Sequence, residues 1–235
     1  MAHGVADPRN ARPNARVMGS IAEVGYAAVE PRFALESVVK NGSASWHLSR
    51  AELDAGLDHI RRAPRDAGEL QAIVIRPRTE ERVSLQKCLL TPAGGVQGDN
   101  WSAGCWLTLP DGSPHPNVQV AMMNARVIDL VAQVPQRWEL AGDNLYVDLD
   151  LSEDNLTAGD QLRIGEALLE VTEEAHNGCA KFARRFGKEA LQFVNSAVGE
   201  KLHLRGVYAK IVEPGIVRVG DSIRKVTSAE AQDPA

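Results

Sequence analysis

A chain of 235 residues that is 44% hydrophobic carries enough apolar material for one large domain or two small ones, which excludes disorder over most of its length. With 26 Lys and Arg against 31 Asp and Glu the formal net charge is -5, so the chain lacks the basic balance of a general nucleic-acid binder. No window reaches the roughly 18 apolar residues of a membrane span, and three scattered cysteines make no disulfide framework; the reading is a cytoplasmic protein with neither nucleic-acid nor membrane partners.

Residues 1–20 mix Pro, Asn, Gly and Arg without apolar periodicity and read as a flexible leader. Residues 21–69 read as a helical extension. Its clearest element starts at Ser49, an N-cap with Glu52 three residues on, and places Leu53, Leu57 and Ile60 along one face before Pro64. Residues 70–76 and 82–90 are short branched-apolar runs and read as strands. The segment that follows spends glycine at 94, 95, 98 and 104, which marks a sharp loop and a possible site. Residues 117–122 read as a strand, and Asn124 then caps a short helix carrying Val127, Ile128 and Val131.

From residue 138 onward, short strands alternate with tight turns. Residues 145–149, 161–164, 167–172, 205–213 and 216–226 qualify as strands or strand pairs, joined by turn chemistry at Ala158-Gly159-Asp160, Gly165-Glu166, Pro214-Gly215 and Gly220-Asp221. This spacing argues for a mainly β, α+β barrel or rolled sheet and against a parallel dinucleotide-binding sheet. One helical interruption carries Phe182, Phe186 and Phe193 on a stripe broken by Gly187. Residues 227–235 read as a flexible tail.

Charge is sharply partitioned near that helix. Residues 139–174 hold eleven acidic side chains and one basic one, Arg163, whereas Lys181, Arg184, Arg185 and Lys188 crowd beside Cys179. A cysteine at a turn-to-helix junction, near cations, is favoured as thiolate, the form that ligates metals or attacks electrophiles, and the same cations suit a phosphate. Residue types alone leave a plainer alternative open, with Cys179 a packing residue and the basic run a solvated face. His176 and Cys179 have ligand spacing, but no second pair completes a zinc site. Cys88 and Cys105 read as packing residues. The acidic run Asp148, Asp150, Glu153 and Asp154 lacks the glycine and terminal glutamate of a calcium loop and reads as a solvated edge. Phosphate-loop, dinucleotide-fingerprint, zinc-protease and nucleophile-elbow motifs are absent.

The order of GGVQGD (94–99), VQVAMMN (118–124), Gly142-Asp143-Asn144-Leu145, Gly159-Asp160, Gly165, Gly178-Cys179, Arg205-Gly206-Val207-Tyr208, Gly215 and Gly220-Asp221 resembles a MOSC domain, the module named after the C-terminal region of molybdenum cofactor sulfurases, in its stand-alone bacterial form. The resemblance covers residues 70–226. It implies a MOSC-type β-barrel that binds molybdenum cofactor (molybdopterin), with Cys179 as molybdenum ligand or sulfur carrier and Asp143, Asn144, Lys181, Arg184 and Arg185 as cofactor-binding residues. The implied activity is that of a molybdenum-dependent oxidoreductase acting on N-oxygenated small molecules, or of a sulfurtransferase in cofactor sulfuration, with a cysteine desulfurase or redox protein as partner. The alternative is a non-catalytic anion-binding or interaction module that keeps the fold; a thiol redox protein is a third reading.

Departures are visible. Asp143 stands where the family commonly has glutamate, and Val118-Gln119 where relatives often have Arg-Gln. Residues 1–69 are too short and too helical to form the partner barrel of amidoxime-reducing relatives, and no pyridoxal phosphate domain is expected, so the chain by itself does not desulfurate cysteine.

Overall fold

The computed structural model describes residues 47–226; the expected leader, residues 21–46 of the extension and the expected tail lie outside the described residues. Ser49 and Glu52 close a capping box that starts α1 (Arg50–Ala55). The single helix expected from this stretch is two, because Gly56 separates α1 from α2 (Leu57–Arg61). A side chain at Gly56 would collide with Leu130, so the glycine allows close approach to the helix that carries Leu130.

Strand β1 (Ala67–Ile75) begins three residues before the expected boundary. The single strand expected over 82–90 divides at Gln86 into β2 (Val83–Leu85) and β3 (Lys87–Thr91), which belong to different sheets. After β4 (Gly95–Val96) and α3 (Trp101–Gly104), a 3-10 turn (Pro116–Val118) precedes β5 (Val120–Asn124). The strand expected over 117–122 therefore starts late, since Pro116 opens the turn and His115 Nδ1 accepts from the Asn117 N–H. Asn124 caps α4 (Ala125–Ala132), as the sequence indicates, through the Arg126 N–H.

The remaining elements are β6 (Leu145–Asp148), β7 (Gln161–Ile164), β8 (Ala167–Val171), α5 (Ala180–Phe186), α6 (Lys188–Val194), α7 (Ala197–Lys201), β9 (Val207–Glu213), β10 (Gly215–Arg218) and β11 (Ser222–Val226). Seven strands close a barrel in the order β1-β6-β5-β9-β8-β7-β11, with β11 returning to β1 through Ala67 opposite Arg224. Only β5 and β6 pair in parallel within it. Strand β2 extends β1 outward, and β10, β3 and β4 make a smaller sheet.

Alternation explains the interior. Leu145 and Val147, Leu162 and Ile164, Leu169 and Val171, and Ala209 and Ile211 all point into one core. The opposite face of β5 and β6 is buried too, because Met123 and Tyr146 pack in a second cluster with Ile128, Phe182, Phe186 and Phe193 from the helices and Leu53 and Ile60 from α1 and α2. That double burial is why β5 is buried throughout rather than alternating.

The acid-rich stretch is neutralised through space rather than along the chain. Glu170 on β8 meets Lys210, its register partner on β9, at 2.7 Å, and Glu166 meets Arg218 at 2.9 Å. Asp148, expected on a solvated edge, is instead held by Arg126 at 2.7 Å, with both side chains largely buried. Among the described residues, no helix is long and apolar enough to cross a membrane.

Candidate functional site

The site assembles where the end of β1, the turn into β6, the start of β9 and the first turn of α5 converge. Its foundation is Asn144. The side chain has no exposure; Oδ1 accepts from the Ala121 N–H at 3.1 Å and Arg76 Nη2 at 3.2 Å, while Nδ2 donates to Val74 O at 3.3 Å. Asn144 thus stitches β1 to β5 where β6 begins.

Asp143, also fully buried, is held by Arg205, whose Nη1 donates to both carboxylate oxygens at 2.8 and 2.7 Å. Arg205 Nη2 donates to Ala141 O at 3.1 Å, and the guanidinium lies 5.2 Å from the centre of the Phe182 ring. Burial disfavours the charged form of Arg205, but the Asp143 carboxylate more than compensates and raises its pKa. The two residues expected to touch cofactor, Asp143 and Asn144, therefore direct these polar contacts at the protein's own scaffold.

A second guanidinium stands beside the first. Arg76 Nε and Nη2 donate to Asp99 Oδ1 and Oδ2 at 3.0 and 2.8 Å in a two-point clasp, and Nη1 reaches Gly142 O at 3.1 Å. The glycine-dense loop flagged in the sequence contributes Asp99, the carboxylate that fixes Arg76. Neither Arg76 nor Asp99 was singled out as a site residue from sequence; the available signal was the carboxylate that ends GGVQGD.

His176 completes this layer. Its side chain is 7% exposed, its ring lies 4.3 Å from that of Tyr208, and its Nδ1 has no hydrogen-bond partner. Burial, then Arg205 and Arg76, push its pKa well below the usual histidine range. Asp143 Oδ1 is 3.6 Å from Nδ1, but Arg205 already neutralises that carboxylate, so the ring stays neutral. Trp106, 66% exposed, tilts over Tyr208 with ring centres 6.5 Å apart.

Cys179 sits above this layer as the exposed N-cap of α5. Partial burial pushes its pKa up, but the backbone N–H groups of Phe182 and Lys181 and the charges of Arg205 and Lys181 outweigh that and bring it below the ordinary thiol value. The thiol itself makes no capping hydrogen bond, so these groups act on the anion. Cys88, by contrast, is buried, and desolvation raises its pKa; Cys105 is half-buried, with Sγ 2.9 Å from Leu107 O.

Beyond Cys179 lies a seat of cations. Arg185 Nη1 donates to Leu140 O at 2.8 Å and Nη2 to Glu80 Oε2 at 2.7 Å, while Lys181 Nζ is 3.8 Å from Glu80 Oε1. Arg82 donates from Nη1 to Glu81 O at 2.7 Å, but its buried Nε has no partner. Burial, then the charges of Arg185 and Arg76, lower its pKa. Gly142, with φ +86°, forms the floor: a Cβ there would lie 3.5 Å from Arg82 Nη2 and 4.0 Å from Arg185 Nη1. Of the basic stripe expected on α5, Lys181 and Arg185 thus face the same carboxylate, whereas Arg184 is exposed and makes no ion pair among the described residues. Arg82 was missed because nothing local ties it to α5.

No cluster of three or more His, Cys, Asp or Glu able to hold a metal ion occurs among the described residues. Any metal here must bring most of its own ligands.

Residues 115–224 match the family model of the MOSC domain, so this segment of the chain is similar to that domain. The YuaD protein from Bacillus subtilis has a similar crystal structure, with a TM-score of 0.51 at 18% identity over 67% of this chain and 94% of that one. YiiM from Escherichia coli gives 0.44 at 20% identity, covering 68% of this chain and 70% of that one. No curated protein gives a significant match. Asp143, Cys179 and Arg205 fall inside the matched segment, while Arg76, Arg82 and Asp99 precede it.

Proposed function

We propose that this protein binds molybdenum cofactor, with the Cys179 thiolate as a ligand to molybdenum and with Arg82, Lys181 and Arg185 receiving the phosphate end. The observation that carries the reading is one exposed, anion-favoured cysteine at the start of the helix whose Lys181 and Arg185 form a cation seat with Arg82, whose buried Nε has no partner. The donor set fits the group. A lone soft thiolate suits a metal whose other ligands come from the cofactor's dithiolene, and the partnerless Arg82 Nε and the cleared floor at Gly142 suit an anion. When bound, the cofactor supplies a molybdenum centre for two-electron oxygen- or sulfur-atom transfer, the chemistry associated with the family.

The chain's own residues have narrower tasks. Arg205 stabilises the Cys179 thiolate from beneath and is itself fixed by Asp143. Arg76, clasped by Asp99 and bonded to Gly142 O, holds the turn that forms the floor of the seat. His176 is neutral near pH 7, so it does not act there as a stored acid; its ring fills the space between Asp143 and Tyr208. Reduction of an N-oxygenated substrate fits a permanent ligand, and we favour it over sulfur carriage because the groups around Sγ hold the thiolate in place.

Alkylation resolved by site tests this. Cys179 should react with iodoacetamide with a midpoint below the ordinary thiol value of about 8.5, Cys88 should stay unmodified in the folded protein, and cofactor loading should protect Cys179. A Cys179 rate that follows an ordinary thiol, or one unaffected by loading, favours the non-catalytic module. A persulfide on Cys179 after exposure to a cysteine desulfurase would favour the sulfur carrier.

A further inference from the structure

The cation seat already holds an anion belonging to the protein. Glu80 stands in the turn between β1 and β2, where the Glu81 N–H donates to Arg78 O at 3.1 Å. Its carboxylate spans Arg185 at 2.7 Å and Lys181 at 3.8 Å. Its backbone takes φ +63°, a left-handed conformation that non-glycine residues adopt infrequently, so the turn is bent at the residue that delivers the carboxylate. The side chain is nevertheless 58% exposed. Nothing buries it in this position.

We propose that Glu80 is a built-in ligand filter: its carboxylate occupies the seat formed by Arg82, Lys181 and Arg185 and yields to dianions of the phosphate class while excluding monoanions. The inference rests on reading that seat as the phosphate end of the site. Lys181 and Arg185 contact the one carboxylate, and Arg82 stands beside Arg185 over Gly142, which leaves positive charge that a second monoanion cannot match as well as a dianion can. A tethered carboxylate also has an effective concentration on the order of millimolar, so a free carboxylate of equal intrinsic strength gains little by replacing it. A phosphate monoester brings a charge of about -1.5 to -2 and three acceptor oxygens, enough to engage Arg185, Lys181 and the free Nε of Arg82 together. Displacing Glu80 costs little, because the pair is exposed and solvent screens it.

The test is calorimetric titration of wild type, Glu80→Gln and Arg185→Ala with inorganic phosphate and, separately, acetate, at low ionic strength and a pH above the second phosphate pKa. Wild type should bind phosphate and give no acetate signal. Glu80→Gln should tighten phosphate about fivefold and acquire measurable acetate binding, so that discrimination narrows. Arg185→Ala should lose phosphate binding while its thermal midpoint confirms that it folds. Phosphate binding that is unchanged or weaker in Glu80→Gln, with acetate still excluded, overturns the filter but leaves the seat standing, since Glu80 would then only orient the cations. Phosphate binding by neither wild type nor Glu80→Gln overturns the seat and the filter with it.

Discussion

Replacing Arg205 by alanine should lower the stability of the folded protein by about 3–5 kcal/mol, the usual cost of stranding one member of a buried ion pair. Asp143 would remain fully buried with no guanidinium on its oxygens, and Ala141 O would lose its donor. Removing both charges at once, as in Asp143→Asn with Arg205→Met, should cost clearly less than the sum of the single changes, because neither partner is then left charged in the interior. Urea denaturation of Arg205→Ala, of the single variants Asp143→Asn and Arg205→Met, and of their combination measures this. The same substitution removes a charge that stabilises the Cys179 thiolate, so the alkylation midpoint of Cys179 in Arg205→Ala should move upward. A merely structural role for Arg205 would leave that midpoint unchanged in the fraction that remains folded.

Gly206→Ala should be comparably damaging for a different reason. Gly206 has φ +105°, and a Cβ there would be driven into the carbonyl of Met122, with His176 Nδ1 only 3.2 Å away. Met122 is the register partner of Val207, so the intrusion falls on the ladder that joins β5 to β9 within the barrel. Backbone strain and overpacking together predict a loss on the order of 3 kcal/mol or more. Gly220→Ala is the control: its φ is +93°, but nothing lies within 4 Å of the added methyl, so only the backbone term of about 1 kcal/mol remains. Equal melting temperatures for the two variants would show that the approach to Met122 does not matter.

These two expectations concern adjacent residues of the segment that made the chain recognisable, Arg205-Gly206-Val207-Tyr208, and they show what the sequence could and could not convey. The barrel was legible because its determinants are local. Leu162, Ile164, Leu169 and Val171 alternate, Gly165 turns the chain between β7 and β8, and Asn124 caps the helix it precedes. The parallel pairing of β5 with β6 was not legible, since burial of both faces removes the alternation that marks a strand and the two are separated by α4 and a 3-10 helix (Pro135–Ala141).

The candidate site divides in the same way. Cys179 could be singled out from its own neighbours: a turn before it, cations after it. Its supporting layer could not, because the groups that hold one another are distant in the chain. Arg76 reaches Gly142, Asp143 meets Arg205, and Glu80 meets Arg185, each pair brought together only by barrel closure. Sequence also does not reveal which polar atoms a fold uses. Asp143 and Asn144 have the right chemistry for cofactor contact, yet Arg205, Ala121, Arg76 and Val74 take up their hydrogen bonds. Among the cations of α5, only register against the β1–β2 turn distinguishes Lys181 and Arg185 from Arg184.

That Cys179 anchors molybdenum cofactor is tested most directly by metal and pterin content. Wild type and Cys179→Ser, expressed in a host that makes the cofactor and purified without dialysis against chelators, should be assayed for molybdenum per chain and for the fluorescent oxidised pterin. Wild type should carry both in equal amounts, and Cys179→Ser should lose most of the molybdenum while melting within about 1 kcal/mol of wild type, as expected for a substitution at an exposed position. Negligible molybdenum and pterin in both proteins, or undiminished molybdenum in Cys179→Ser, would contradict the assignment.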